Sequence, residues 1–202
     1  MYAVIMLLTE NAARLRGLRI QMDWVVLASL ILFTIIELLL LPKFSAKRDK
    51  IAKKSAIASI AFLWLTFIVS YIFKFKIPNI AYIFIIASLL MDSFFGYYKG
   101  LYYSTKKFDR IQHVIGSFSF AIFFYFFLSN IFEYGGSKVF QAFYILLLGV
   151  FYGTIYELIE FMSDSRNRQK MQKGLRDTDF DMLSDLIGSL AAAVLSYYIF
   201  IV

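Results

Sequence analysis

The chain has 202 residues, of which 60% are hydrophobic and only 17% charged, and its mean hydropathy is +0.69. A water-soluble domain is usually about 45–50% apolar and about 25% charged, so this composition excludes an ordinary soluble fold. Disorder is excluded as well, because disordered chains have low hydrophobicity. The net charge of +7 is typical of a membrane protein with basic loops, and no soluble basic domain accompanies it, so we expect no binding of nucleic acid.

The first predicted element covers residues 1–21. It is apolar as far as Leu8, which is too short a stretch to cross a bilayer, and it then carries Arg14, Arg16 and Arg19. A secretory signal peptide has its positive charges before the apolar stretch, so the observed order argues against one. We predict a short N-terminal amphipathic helix at the membrane interface, followed by a transmembrane domain over 22–202.

Six further segments are long and apolar enough to cross the hydrocarbon as helices, which takes about 20 residues. They are continuous and lack the alternation of a membrane β-barrel. Pro42 is expected to end the first span, and Pro78 to begin the third. We therefore predict an all-α fold, a polytopic transmembrane bundle of about six helices. The predicted spans are approximately 24–41, 56–73, 78–95, 111–132, 139–162 and 182–202.

The distribution of basic residues predicts the orientation. Fifteen of the 21 Lys and Arg residues fall in the loops after the first, third and fifth spans. The positive-inside rule places these loops in the cytoplasm and both termini outside. We expect the cluster over 43–54 to contact anionic lipid headgroups, and the aromatic run over 123–127 to face lipid.

Charged side chains in hydrocarbon are costly, so each one marks a candidate functional site. Because successive spans alternate in direction, the ionisable groups at the ends of spans one, three and five lie at the same membrane face as those that open spans four and six. By the count of basic residues this face is cytoplasmic. The groups concerned are Glu37, Asp92, His113, Glu157, Glu160, Asp181 and Asp185.

Small residues accompany these charges at helical spacing. Gly149 and Gly153 precede Glu157 at four-residue intervals, and Gly116 follows His113 by three residues. Small residues at such spacing let membrane helices approach closely. We therefore expect the polar groups to point into the bundle and not at lipid.

Three local patterns combine the charged residues with aromatic and glycine neighbours. They are Phe108-Asp109-Arg110 with His113 and Gly116, then Tyr156-Glu157-Leu158-Ile159-Glu160-Phe161, and finally Asp177-Thr178 with Asp181-Met182 and Gly188. In order and spacing they resemble the signatures of the YjdF-like family of bacterial multi-pass membrane proteins, although Phe161 stands where that family has tryptophan. The similarity covers roughly residues 80–200. A fainter likeness to VanZ-like proteins lies in the helix-opening histidine and the Asp-rich start of the last span. The resemblance implies a bacterial plasma (inner) membrane location and no particular reaction.

The composition also limits the chemistry of any site. There is no cysteine, and His113 is the single histidine, so thiolate sites and multi-histidine zinc sites are excluded. A metal held mainly by carboxylates would be a divalent cation such as Mg²⁺ or Mn²⁺. The candidate catalytic residues are His113, Glu157, Glu160, Asp181 and Asp185. The candidate metal ligands are these five and Asp177, supported by Asp92, Asp109, Arg110, Gly116 and Gly188.

Three interpretations of this cluster stay open at the level of sequence. It forms a metal-binding or acid–base site that acts on a lipid-like substrate, a pathway for protons or cations in a small transporter, or a set of structural pairs in a membrane scaffold. In the structural interpretation, His113 pairs with Asp109 or another carboxylate, and Arg110 pairs with Glu157 or Glu160. For Glu37, which has no small-residue stripe beside it, a structural role is favoured.

Overall fold

The computed structural model describes residues 2–132, 136–164, 172 and 174–201, with side chains from residue 24 onward. Within these ranges every regular element is helical, and six helices are long and apolar enough to span a membrane, as predicted. The long helices are α1 (Tyr2–Ala46), α2 (Lys50–Ile72), α3 (Asn79–Leu90, continued by a π-helix over Met91–Tyr98), α5 (Lys106–Leu128), α6 (Lys138–Asp164) and α7 (Leu175–Ile199), and α4 is a single turn (Leu101–Ser104).

The first span does not end at Pro42, and that prediction is wrong. Helix α1 continues through this proline to Ala46. A proline in the last turn removes only one backbone hydrogen bond, and burial of the next turn offsets this cost. Phe44 is fully buried and packs in a small cluster with Leu40 and Tyr97. The backbone is helical from Tyr2 without a break, while the predicted interfacial placement of residues 1–21 concerns side chains outside the described part.

Several helices begin one to two turns before the apolar windows predicted from sequence. The Asp49 side chain accepts a hydrogen bond from the Ala52 amide and so caps α2 at Lys50. Thr105 caps α5 in the same way by accepting from the Lys107 amide. Hydropathy marks the part of a helix at lipid depth, whereas caps mark where the helix starts, so the polar first turns were left out of the predicted spans.

The π-helix at the end of α3 was not predicted. Its wider turn holds Asp92, Ser93 and Gly96 in buried positions. Single π-turns inside α-helices are frequent at functional sites, although an eight-residue stretch is unusual. This segment is the part of α3 that faces the predicted polar cluster.

Helix α5 lies at the centre of the bundle and packs against α3, α6 and α7. Because it has neighbours on several sides, its aromatic run is largely core: Phe123 is fully buried and contacts Phe62 and Tyr82 through edge-to-face rings. The prediction that the run over 123–127 faces lipid is therefore wrong for this residue, as it is for Tyr125, which is buried as well. Lipid and protein core are equally apolar, so hydropathy does not distinguish them.

Helices α5 and α7 approach each other closely at Gly188. A Cβ atom at this position would overlap the Val114 carbonyl and the Ser117 hydroxyl of α5. The absence of a side chain thus allows backbone contact between the two helices, as small residues do in membrane bundles. This contact lies about one turn from Asp185 and sets how closely this part of α7 approaches α5.

Candidate functional site

The structure buries all the predicted ionisable groups at one end of the bundle. Helices α1, α3 and α6 end there, and α5 and α7 begin there. Each of these residues is 7% exposed or less, which for a charged side chain requires a compensating partner. The buried groups are Glu37, Asp92, Asp109, His113, Glu157, Glu160, Asp177, Asp181 and Asp185.

His113 is the centre of the cluster. Its Nδ1 lies 3.1 Å from Asp185 Oδ2, which is hydrogen-bonding distance, and its Nε2 lies 3.7 Å from Glu157 Oε1. A carboxylate only accepts hydrogen bonds, so Nδ1–H donates a hydrogen bond to Asp185. This bond fixes the ring and leaves Nε2 facing the carboxylate of Glu157. A histidine held in this way by a carboxylate has the arrangement found in metal-ligating histidines.

Gly153 of α6 makes room for Asp185 of α7. A Cβ at Gly153 would overlap the Asp185 carboxyl group, so any side chain there would displace Asp185 from the position in which it contacts His113. The glycine was noted in the sequence for its spacing from Glu157, and its contact with Asp185 comes from the packing of α6 on α7.

Carboxylates of α5, α6 and α7 lie close to His113. Among the described residues they form three sets of possible metal ligands that share members. Each group offers three ligand atoms that lie within 4.8 Å of one another. Such spacing suits one ion, because ligands at about 2.1 Å on opposite sides of Mg²⁺ are about 4 Å apart. The groups are Asp109 with His113 and Glu160, His113 with Glu157 and Asp181, and Asp109 with Asp177 and Asp181.

The second of these groups has unsatisfied atoms. His113 Nε2, Glu157 Oε1 and Asp181 Oδ1 are buried and have no hydrogen-bond partner within the described residues. The other oxygen of Glu157 accepts a 2.9 Å hydrogen bond from Gln172 Nε2, which orients the carboxylate. Buried polar atoms are nearly always hydrogen-bonded, so several unsatisfied ones together point to a missing ligand.

Asp92 and Glu37 do not join this cluster. Asp92 accepts hydrogen bonds from Tyr102 Oη at 2.5 Å and from Ser55 Oγ at 3.0 Å. Glu37 accepts a hydrogen bond from Ser93 and lies between α1 and the π-helix. Both acids therefore have neutral hydroxyl donors.

Arg110 and Lys106 lie at the edge of the cluster. The guanidinium of Arg110 lies 4.2 Å above the ring of Phe180, and in the described part of the chain we find no pairing with Glu157 or Glu160. Lys106 is 60% exposed and lies 3.8 Å from Asp177. An exposed ion pair of this kind contributes little to stability. Gly116 lies beside the ring of Tyr152, between α5 and α6.

A cavity of about 420 Å³ opens beside His113, between α2, α3, α5 and α6. Its volume is within the range of about 300–1,000 Å³ that is typical of ligand sites. Its polar end is lined by His113, Asp92, Gln112 and Glu160, and its apolar walls include Phe62, Leu89, Phe120, Tyr152 and Ile159.

Two residues at this cavity or beside it were missed in the sequence. Gln112 lines the cavity and donates from Nε2 to the Ser88 carbonyl at 3.0 Å, while its Oε1 is buried without a hydrogen-bond partner among the described residues. Tyr102 was not among the predicted site residues, yet it donates a hydrogen bond to Asp92. The amide of Gln112 is uncharged, and adjacent residues of a helix do not share a face, so its position before His113 did not mark it as a site residue.

The short helix α4 forms hydrogen bonds to the π-helix and to the start of α2. Tyr102 binds Asp92 of the π-helix, and Tyr103 donates a 2.5 Å hydrogen bond to Asp49 at the start of α2. Burial raises the pKa of the Tyr102 phenol well above its usual value, and the nearby Asp92 adds to this effect. Burial also raises the pKa of Tyr103, together with its hydrogen bond to Asp49. Both phenols thus remain protonated donors.

Comparisons with known proteins agree with a membrane protein. The profile of a family described as "Predicted membrane protein (DUF2238)" matches residues 22–201. A protein of Thermotoga maritima, described as an uncharacterized protein, is 33% identical over 126 residues. This match covers 60% of the chain and 64% of the relative, so the chain spans less than two thirds of that relative's length. No solved structure matches the chain.

Proposed function

The chain belongs to the DUF2238 family of membrane proteins, and on this premise we propose that it binds a divalent cation at His113 and the surrounding carboxylates, and uses the site for acid–base chemistry on a lipid-like substrate. The ion would be Mg²⁺ or Mn²⁺, because most donors are carboxylate oxygens. The YjdF-like and VanZ-like resemblances in the sequence imply no reaction.

One observation carries the proposal. His113, Glu157 and Asp181 each have a buried atom without a hydrogen-bond partner in the described ranges, and together they offer three ligand atoms within 4.8 Å of one another. The 3.7 Å from His113 Nε2 to Glu157 Oε1 is too long for a hydrogen bond. It fits two ligands of one ion whose bonds are each about 2.1 Å long.

Charge balance supports a cation as well. Buried carboxylates that remain ionised need a positive partner, and removing such a partner is strongly destabilising. Within the described residues, His113 supplies at most one positive charge to the acids around it, and the ammonium of Lys106 lies near Asp177 at the edge of the cluster. A divalent ion would compensate two negative charges at the centre of the cluster.

The residues around this site would have separate roles. Asp185 holds the His113 tautomer, and His113, Glu157 and Asp181 would be ligands, with Asp177 and Asp109 beside them. Glu160 lines the cavity, where it is placed to take up or release a proton of a bound substrate. A divalent ion bound here would polarise a substrate oxygen or lower the pKa of a bound water.

We propose further that the site lies at the cytoplasmic leaflet of the bacterial plasma membrane. The proposal depends on the basic residues, which are concentrated in the loops at this end of the bundle. Both termini would then lie outside. Anionic headgroups would contact the basic segment over 43–54.

The direct experiment is to measure Mg and Mn in the protein purified in detergent without chelators, by mass spectrometry of the elements. We expect about one ion per chain in the wild type and a loss in the variants His113→Ala, Glu157→Gln and Asp181→Asn. Glu37→Gln is the matched control, because it neutralises a fully buried acid outside the cluster and should keep the ion.

Other outcomes would favour the alternative functions. If the wild type neither contains nor takes up Mg²⁺ or Mn²⁺, the proposed cation site is wrong. A flux of cations or protons into proteoliposomes that depends on the same residues would instead indicate a transporter. If the variants lower only the thermal stability, the cluster is a structural element of a scaffold.

A further inference from the structure

We infer that the cavity between α2 and α6 binds the apolar chain of a single-chain amphiphile that carries a phosphate head group. The head group would lie at His113 and Glu160, and the chain would leave sideways between the two helices into the bilayer. The position of the head group rests on the proposed function, and the inference adds the class of substrate. Binding of the ligand's apolar chain depends on the cavity walls alone.

The walls of the cavity are suited to a hydrocarbon chain. Phe62 of α2, Leu89 of α3 and Phe120 of α5 line its inner side, and Tyr152 and Ile159 line it from α6. Phe120 and Tyr152 stack with ring centroids 3.9 Å apart and form a flat apolar wall. The volume of about 420 Å³ lies in the lower part of the range for ligand pockets, which favours one chain over two.

The cavity opens toward the surroundings of the bundle. Helix α2 packs mainly on α1 and the π-helix, while α6 packs on α5 and α7, so a gap separates α2 from α6. Ala58 of α2 and Ile159 of α6 both line the cavity and are exposed. Since both helices span the membrane, this opening faces lipid and would admit a molecule from the bilayer without passage through water.

The polar end of the cavity has an unsatisfied polar atom. Gln112 Oε1 is buried and lacks a hydrogen-bond partner in the part of the chain that is described, and Gln112 and His113 are both more than nine-tenths buried and line the cavity. Lys54, an exposed cation, lines the same cavity. A phosphate monoester supplies oxygen acceptors for Lys54 and an oxygen ligand for the proposed ion, and in its singly protonated form it has one P–OH that can donate to Gln112 Oε1.

The experiment measures equilibrium binding of radiolabelled oleoyl lysophosphatidic acid to the protein in detergent with Mg²⁺ present. Ala58→Trp places an indole at the opening, whereas Ala61→Trp places the same group on an exposed position of α2 that does not line the cavity. The indole occupies the space of several methylene groups, so we expect Ala58→Trp to weaken binding by about tenfold or more. Ala61→Trp should bind like the wild type.

Glycerol 3-phosphate and oleyl alcohol separate the two halves of the ligand. As competitors, oleyl alcohol should displace the probe from the wild type, and glycerol 3-phosphate should compete poorly because it lacks the chain. A probe that is displaced as well by glycerol 3-phosphate would show a site for phosphate alone and would overturn the inference.

A second test does not depend on the folding of the tryptophan variants. The chain has no cysteine, so Ala58→Cys and Ala61→Cys allow a bulky maleimide to be attached after folding. Attachment at position 58 should abolish binding of the probe, and attachment at position 61 should not. The inference is wrong if the two labelled proteins bind equally, or if the wild type does not bind the probe. If the wild type holds no divalent ion but still binds the probe in a way that labelling at position 58 abolishes, only the proposed cation site is wrong.

Discussion

The most informative single substitution is Gly153→Ala, which adds one methyl group at the contact between α6 and α7. This methyl would overlap the Asp185 carboxyl group, so Asp185 must leave the position in which it is hydrogen-bonded to His113. The variant would then lose a charge-assisted hydrogen bond that contributes about 1.5–3 kcal/mol, and the crowded contact costs about 1–3 kcal/mol more. The better helix propensity of alanine returns about 0.5–1 kcal/mol. We expect a net loss of about 2–5 kcal/mol.

The effect on cation binding follows from the same displacement. Residues that orient a metal-ligating histidine typically contribute 10–100-fold to affinity, so we expect Gly153→Ala to weaken Mn²⁺ binding by about that factor. Free Mn²⁺ is measured by electron paramagnetic resonance during titration, and stability is measured by unfolding in mixed detergent micelles.

Gly116→Ala is the control for this prediction. It makes the same change in a neighbouring membrane helix, but its methyl would lie at an ordinary contact distance of 3.4 Å from the ring of Tyr152. It should therefore change stability and Mn²⁺ affinity little. Wild-type affinity and stability in Gly153→Ala would refute the reasoning that Asp185 is held between α6 and His113.

Three further predictions concern the end of the bundle around α4 and the orientation of the chain. Tyr102→Phe removes one of the two hydroxyl groups that donate to buried Asp92 among the described residues, and it should destabilise the protein by about 1–3 kcal/mol in thermal or detergent unfolding. An unchanged unfolding midpoint would contradict the 2.5 Å hydrogen bond. Asp49→Ala removes the cap of α2 and should cost about 1 kcal/mol or more by the same measurement, while Asp49→Asn should retain most of it. Single cysteines at Lys74 and Lys99 should react with an impermeant maleimide from opposite sides of the membrane, with position 99 on the cytoplasmic side; labelling from one side would contradict the topology.

The sequence predicts the fold class and the clustered end of the bundle for a simple geometric reason. Long apolar helices joined by short loops alternate in direction, so charges at the ends of odd spans meet those at the starts of even spans. This reasoning put His113, Glu157 and Asp185 at one end before any packing was known. It needed only the order of the helices and the position of each charge along its helix.

The details that depend on packing were not predictable in this way. The sequence of Met91–Tyr98 gives no sign of a π-helix, and only the folded structure separates Asp92 from the acids around His113. Phe123 and an aromatic residue in lipid have the same hydropathy, so its burial in α5 was missed. The cavity lies between α2 and α6 because α2 packs mainly on α1 and not on α6. Such packing is set by tertiary contacts.

The central claim is that His113, Glu157 and Asp181 hold a divalent cation inside the membrane domain. The most direct measurement is Mn²⁺ titration of the purified wild-type protein against the triple variant His113→Ala, Glu157→Gln, Asp181→Asn, with Glu37→Gln as the control. We expect one tight site per chain in the wild type and in the control, and none in the triple variant. Equal binding by all three proteins, or no binding by the wild type, would contradict it.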